Sequence, residues 1–166
     1  VERKVDTLIL ATGFKVSRYL SAIEVSGRNG LKLDDAWRDG AQAYLGMVTS
    51  GFPNLFMVTG PGSPSVHGNM PTSIEQHVDS ICDFLAHARA TGATLIEPTA
   101  EAEAERGAHV KELADGTLFP QTDSWYMGAN IPGKQREMLM YPGGLPRYLE
   151  EFKACKDKGY SGFRLS

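Results

Sequence analysis

The sequence predicts an α/β fold, a small mixed sheet carrying about three helices, and three observations lead there. Short apolar runs bounded by turn residues crowd the first third of the chain, at residues 5–10 (VDTLIL), 31–33, 43–48 and 55–58 (LFMV), as strands do. Ile74, Val78, Ile81 and Leu85 then recur at helical spacing, and two further helical patterns follow. The chain has 166 residues, 42% of them hydrophobic, enough for a single domain with a core.

In chain order, residues 5–10 read as a returning hinge strand within 1–14, closed by the small residues Ala11, Thr12 and Gly13 before Phe14. The chain opens without Met on the approach to that strand, so it reads as a fragment or a processed product. Leu31 and Leu33 alternate with polar neighbours as in a short strand, and residues 34–40 form a turn around Trp37. Residues 43–48 read as another strand, and Asn54 leads into the strand at 55–58. Thr59-Gly60-Pro61-Gly62-Ser63-Pro64 then forbids regular structure, with two glycines and two prolines in six positions.

A helix follows from about Thr72 to Ala90. Thr72 and Glu75 have the spacing of a capping box, and Gly92 supplies the C-terminal stop. Residues 94–97 form a brief strand before Pro98. A second helix starts near Thr99, with Glu101, Glu103 and Glu105 in its first turns, where the helix dipole favours acids. Gly107 weakens its middle. Residues 115–135 form a long loop of the kind that serves as a lid. The last helix covers 145–158, with Tyr148, Leu149 and Phe152 as its buried side.

Composition narrows the chemistry. A net charge of −3, from 17 basic and 20 acidic residues, gives no electrostatic footprint for nucleic acid. No apolar run approaches the roughly 20 residues of a membrane helix. Two cysteines, Cys82 and Cys155, suit a reducing, cytoplasmic compartment better than a disulfide framework. The four histidines lack zinc-site spacing, so no metal is expected.

The stretch 54–92 carries the strongest functional signal. Strand, small-residue loop and helix N-terminus are the parts from which nucleotide and flavin sites are built: backbone approaches a flat ligand, and free N–H groups face an electron-rich atom. Trp125, in the long loop, offers a flat face and one N–H donor suited to covering such a ligand, and Gly128 and Gly133 would let that lid change shape. Gly128 to Lys134 also spells G-x-x-x-x-G-K. However, Gln135 stands where a phosphate-binding loop needs Ser or Thr, and Pro132 interrupts it.

Five segments together, ATGF at 11–14, GFPNLF at 51–56, GPGSPS at 60–65, SIEQHV at 73–78 and GANIPGK at 128–134, resemble the Baeyer–Villiger flavin monooxygenases of the cyclohexanone and phenylacetone monooxygenase type. Tyr141-Pro142-Gly143-Gly144 extends the match. The resemblance implies the C-terminal part of a flavoprotein with two dinucleotide-binding domains, which uses FAD and NADPH to insert oxygen into a ketone. The product is an ester or lactone. It implies that Gly60, Pro61, Ser63, Pro64, Asn69 and Met70 line the flavin and that Trp125 closes over the nicotinamide cofactor. Val66, His67 and Gly68 would border the pocket for a ketone or sulfide substrate. No G-x-G-x-x-G occurs, the family's F-x-G-x-x-x-H-x-x-x-W-P signature and active-site arginine are absent, and Gly107 lies where the family carries an aromatic. The expectation is therefore a portion that is inactive alone and needs an N-terminal dinucleotide-binding region; a derived non-catalytic binding or regulatory module is the alternative. Open apolar faces make a homo-oligomer the expected state.

Overall fold

The longest element is a helix that carries apolar residues on its outward face as well as its inward one. The computed structural model of the chain describes residues 2–11, 19–20, 22–64, 68–129 and 136–166. Four helices, α1 (Leu33–Ala36), α2 (Met70–Ala90), α3 (Ala100–Asp115) and α4 (Gly144–Asp157), accompany an antiparallel pair, β1 (Ile96–Pro98) and β2 (Phe163–Leu165). The α/β class stands, with the sheet reduced to one ribbon in the register Ile96↔Leu165, Glu97↔Arg164 and Pro98↔Phe163.

α2 begins three residues earlier than its capping-box spacing suggests. Pro71 sits in the first turn, Asn69 is the N-cap without a side-chain bond, and Thr72 lies inside the helix. It stops as expected at Gly92, whose φ of 73° closes the turn. Its inward face is Ser73, His77, Ser80, Phe84 and Ala88, whereas Ile74, Val78 and Leu85 are 40 to 43% exposed. The buried stripe is partly polar because it meets a backbone loop with donors of its own. His77 is fully buried and its Nδ1 accepts the Thr59 N–H at 3.0 Å, just before Gly60. The ring also stacks on Tyr148 of α4 at 5.4 Å, and the Tyr148 hydroxyl donates to the Leu45 carbonyl at 2.7 Å.

The main core gathers Leu45, Met47, Val48, Phe84, Ala88, Ile96, Phe152, Cys155 and Tyr160. Phe84 is its aromatic centre, 4.2 Å from the ring of Phe163 and 4.5 Å from that of Tyr160. β2, which has no counterpart in the sequence reading, delivers Phe163 to this cluster. β1 lies close to the strand expected at 94–97, and its buried Glu97 accepts twice from Arg28 Nε at 3.0 Å. α3 starts where expected, with the Thr99 hydroxyl accepting from Ala102 N at 3.1 Å. Gly107 does not break it. α4 buries Tyr148 and Phe152 and leaves Leu149 half-buried.

The strands expected early in the chain are corrected. Residues 31–33 and 43–48 reduce to isolated bridges, Ser26↔Lys32 and Tyr44↔Val48. Leu45 and Gly46 hold φ of 53° and 66° and turn the chain back on itself, so no straight ladder forms. Residues 55–58 run alongside that turn, with Met57 N donating to Met47 O at 2.7 Å and Gly60 N to Gly46 O at 2.9 Å, and a bent partner cannot extend the pairing into a strand. Residues 5–10 carry no strand; Leu8, Ile9 and Leu10 are 74 to 84% exposed, and no described segment lies against them to complete a ladder. The loop at 115–135 contains two short 3-10 turns, Phe119–Gln121 and Trp125–Met127. No described helix is long and apolar enough to cross a membrane.

Two expected outcomes follow from α2. Self-association through its exposed apolar side chains is the first: replacing Val78 and Leu85 by Gln is expected to shift the weight-average mass measured by light scattering toward the monomer, and an unchanged mass counts against it. Burial depresses His77 to about 4, so the unfolded chain takes up a proton first as pH falls from about 6.5. Stability is then lost between those two values, by ~3 kcal/mol at most. His77→Leu strands the Thr59 N–H, costs about 1–3 kcal/mol at neutral pH, and flattens that part of the pH profile; chemical denaturation across pH reads both.

Candidate cofactor-facing loop and lid turn

Three stretches far apart in sequence are tied here by backbone hydrogen bonds. Gly62 N donates to Leu139 O at 3.1 Å, and Tyr141 N donates to Ser63 O at 3.0 Å. Leu139 N in turn donates to Tyr126 O at 2.9 Å, and Glu137 N donates to Met127 O at 3.1 Å. The strap 137–141 therefore binds the loop carrying Gly60, Pro61, Ser63 and Pro64 on one side and the turn carrying Trp125 on the other. Gly46 backs the loop so closely that a Cβ there would stand 2.8 Å from Ser63 Cα.

Within this unit the anticipated residues are placed unequally. Gly60, Pro61, Ser63 and Pro64 are buried. Trp125 begins its 3-10 turn after Ser124, whose hydroxyl accepts from Tyr126 N at 3.3 Å. Its ring is 38% exposed and leans on Tyr126 at 4.2 Å, which leaves one face available. Gly128, at φ 63°, ends the turn. Asn69 is exposed and Met70 half-buried at the start of α2, and among the described residues no hydrogen bond joins them to Gly60–Pro64. Gly68 is exposed, with nothing within 4 Å of where a Cβ would stand. Val66 and His67 lie outside the described residues, as do Thr12, Gly13, Phe14 and the lid residues 130–135.

Sequence reasoning missed two parts of the unit. His77 was noted only as a letter of the SIEQHV segment, yet it fixes the residue before the loop. Tyr141 is only one letter of the YPGG motif in the sequence, yet it anchors one end of the strap twice over. Its N–H bonds Ser63 and its hydroxyl donates to Glu151 at 2.6 Å. Burial pushes the Glu151 carboxyl up, but hydrogen bonds from Tyr141, Arg106 and His109 outweigh this and hold it near 2. It stays ionised and keeps Tyr141 clamped throughout the range in which proteins function.

The loop's own N–H groups are used inside the fold, Gly60 on Gly46 O, Gly62 on Leu139 O and Ser63 on Gly60 O, so the unit is a braced loop beside one partly exposed aromatic side chain. α2 adds an N-terminus without a side-chain cap, whose dipole favours an electron-rich edge.

No protein-family model matches the chain. It is 41% identical over 165 residues to the acetone monooxygenase (methyl acetate-forming) of Gordonia sp. (strain TY-5), which covers 98% of this chain and 31% of that protein. With the cyclohexanone 1,2-monooxygenase of Acinetobacter sp it shares 39% identity over 163 residues, 98% of this chain and 30% of that one. The crystal structure of cyclohexanone monooxygenase from Rhodococcus sp. Phi1 bound to NADP+ superposes with a TM-score of 0.83 at 43% identity, over 88% of this chain and 27% of that one. The chain thus spans about three-tenths of the length of the curated relatives it matches. Sharing sequence along almost all its length and fold with these enzymes, the chain belongs to the Baeyer–Villiger flavin monooxygenases of the cyclohexanone monooxygenase type, as a C-terminal portion of that architecture.

Proposed function

We propose that the chain is the flavin-facing and lid portion of an FAD- and NADPH-dependent monooxygenase that converts ketones into esters or lactones, and that it is inactive alone. The observation that carries this reading is the strap at 137–141, which ties the Gly60–Pro64 loop to the Trp125 turn. A loop that meets one cofactor and a turn that covers the other have to keep register with each other, and four backbone hydrogen bonds provide it.

The residues present fit such a group. Gly68 is open where a Cβ would stand, and α2 starts uncapped beside it. Gly60, Pro61, Ser63 and Pro64 would line the flavin, with Asn69 and Met70 at its pyrimidine end. Trp125 would lie over the nicotinamide cofactor and exclude water from it. Gly68, with Val66 and His67, would border the pocket for a ketone or sulfide. The flavin supplies the electron-transfer chemistry; this chain orients it, and the α2 N-terminus favours negative charge on its reduced form. What the chain lacks is a phosphate-binding glycine fingerprint, which is why we assign it no turnover of its own.

Two measurements test the reading. Chain incubated with FAD and then desalted shows no flavin absorbance; a retained yellow spectrum overturns inactivity in isolation. Placed in the corresponding stretch of the Rhodococcus sp. Phi1 cyclohexanone monooxygenase, the chain supports NADPH oxidation coupled to ketone. Trp125→Ala in that chimera lowers kcat/KM for NADPH about tenfold or more, ~1.4 kcal/mol, while FAD stays bound. A chimera that binds FAD yet shows no ketone-dependent NADPH oxidation sinks the proposal.

A further inference from the structure

The buried stripe of α3 is Ala102, Arg106, Val110 and Ala114, an arginine in the middle of an otherwise apolar row. Arg106 is 7% exposed and lines a cavity of about 510 Å³ between α3, Pro61–Gly62 and residues 136–138. Its Nη1 is taken by Glu151, and the guanidinium lies over the Tyr141 ring at 4.5 Å. Nε and Nη2 have no hydrogen-bond partner among the described residues and are shielded from water. Those two nitrogens form one edge of the planar group, two parallel donors spaced for the two oxygens of a carboxylate. An aromatic face answers the charge of a guanidinium but not its N–H donors, so the edge is left incomplete.

The surroundings add charge and shape. Glu151 also accepts from Arg147 Nε at 3.2 Å, so two guanidiniums share one carboxylate and one positive charge is left over at the cluster. The other cations on the cavity rim are spent, Lys111 on Asp115 at 2.6 Å and Arg136 on Asp123 at 2.5 Å. Two more carboxylates line the cavity, Glu103, which accepts from the Thr49 hydroxyl and Ser50 N, and Glu137. Pro61, Val110, Met127 and Met138 supply apolar wall, and the volume is of the size that takes a small organic molecule. Gly107 keeps the α3 side open; a Cβ there would come no closer than 3.7 Å to anything, the end of the exposed Gln42.

We propose that this cavity is a binding site for an apolar monocarboxylate, whose oxygens complete the Nε/Nη2 edge of Arg106 while its body lies against Val110, Met127 and Met138. The cavity shares Pro61 and Gly62 with the loop of the flavin reading, but the proposal rests on the Arg106 edge and not on that reading. Binding requires the guanidinium to shift, because both donors are covered in the structure.

The test uses the isotope-labelled chain and follows the Arg106 Nε–H signal by NMR. Benzoate in the millimolar range moves that signal saturably, and benzamide, the neutral analogue, binds at least about tenfold more weakly. Arg106→Lys keeps the charge but loses the edge, and weakens benzoate about tenfold or more. Because Arg106 is paired in the interior, Gly107→Leu serves as the second variant; it fills the cavity with the guanidinium intact, and benzoate binding is lost. An unmoved Nε–H signal, equal affinity for benzamide, or undiminished binding to Gly107→Leu each overturns the proposal. A shift with inorganic phosphate but not with benzoate overturns the choice of a carboxylate.

Discussion

The contact on which the rest of this structure depends is a single imidazole nitrogen accepting a backbone proton. Through it, the first turns of α2 hold Thr59 in a left-handed conformation, φ 56°, at the entrance to the glycine–proline loop. An L-residue there costs about 1–2 kcal/mol, and the buried hydrogen bond offsets much of that. The same ring lies on Tyr148, whose hydroxyl holds the Leu45 turn, and that turn receives the Gly60 N–H through Gly46. One helix, one loop, one turn and a second helix are thereby fixed against each other around His77. The interaction requires a neutral ring, which burial ensures.

What the sequence disclosed and what it withheld divide along a physical line. α3 was legible because its start rests on local chemistry, Thr99 capping Ala102. α2 was legible as a helix for the same reason of spacing, and Gly92 marked its end. Its orientation was not. Of the expected stripe Ile81 packs against the core, whereas Ile74, Val78 and Leu85 face outward, and the inward face is the one that can accept a backbone N–H and, at Ser73 and Ser80, admit close packing. Hydrophobic periodicity measures which face prefers to leave water; it does not know what partner is present. The strands at 43–48 and 55–58 failed for a related reason, since strand propensity ignores the left-handed residues at Leu45 and Gly46 that curl their partner.

The site was legible as motifs and opaque as an assembly. Gly60 to Pro64 and Trp125 stood out by composition, but the strap that joins them, residues 137–141, is an ordinary run whose contribution is made through backbone groups. Hydrogen bonds between main-chain atoms leave no mark on residue identity, so nothing in the letters announces them. Arg106 shows the opposite case. In the sequence the acids of α3 stand out and Arg106 is passed over, a charged letter among them that the helix turns inward onto Tyr141 and Glu151.

The two cysteines end up in opposite circumstances, and this gives the molecule a built-in reporter. Cys155 is buried, and burial raises its thiol pKa, which slows its reaction with electrophiles. Cys82 is exposed on α2, between Val78 and Leu85 on the outward side of the helix. A single environment-sensitive dye can therefore be attached there without altering the sequence. Its colour would register the moment at which another surface closes over that side of the helix, whether that surface belongs to a second copy or to the remainder of a larger flavoprotein.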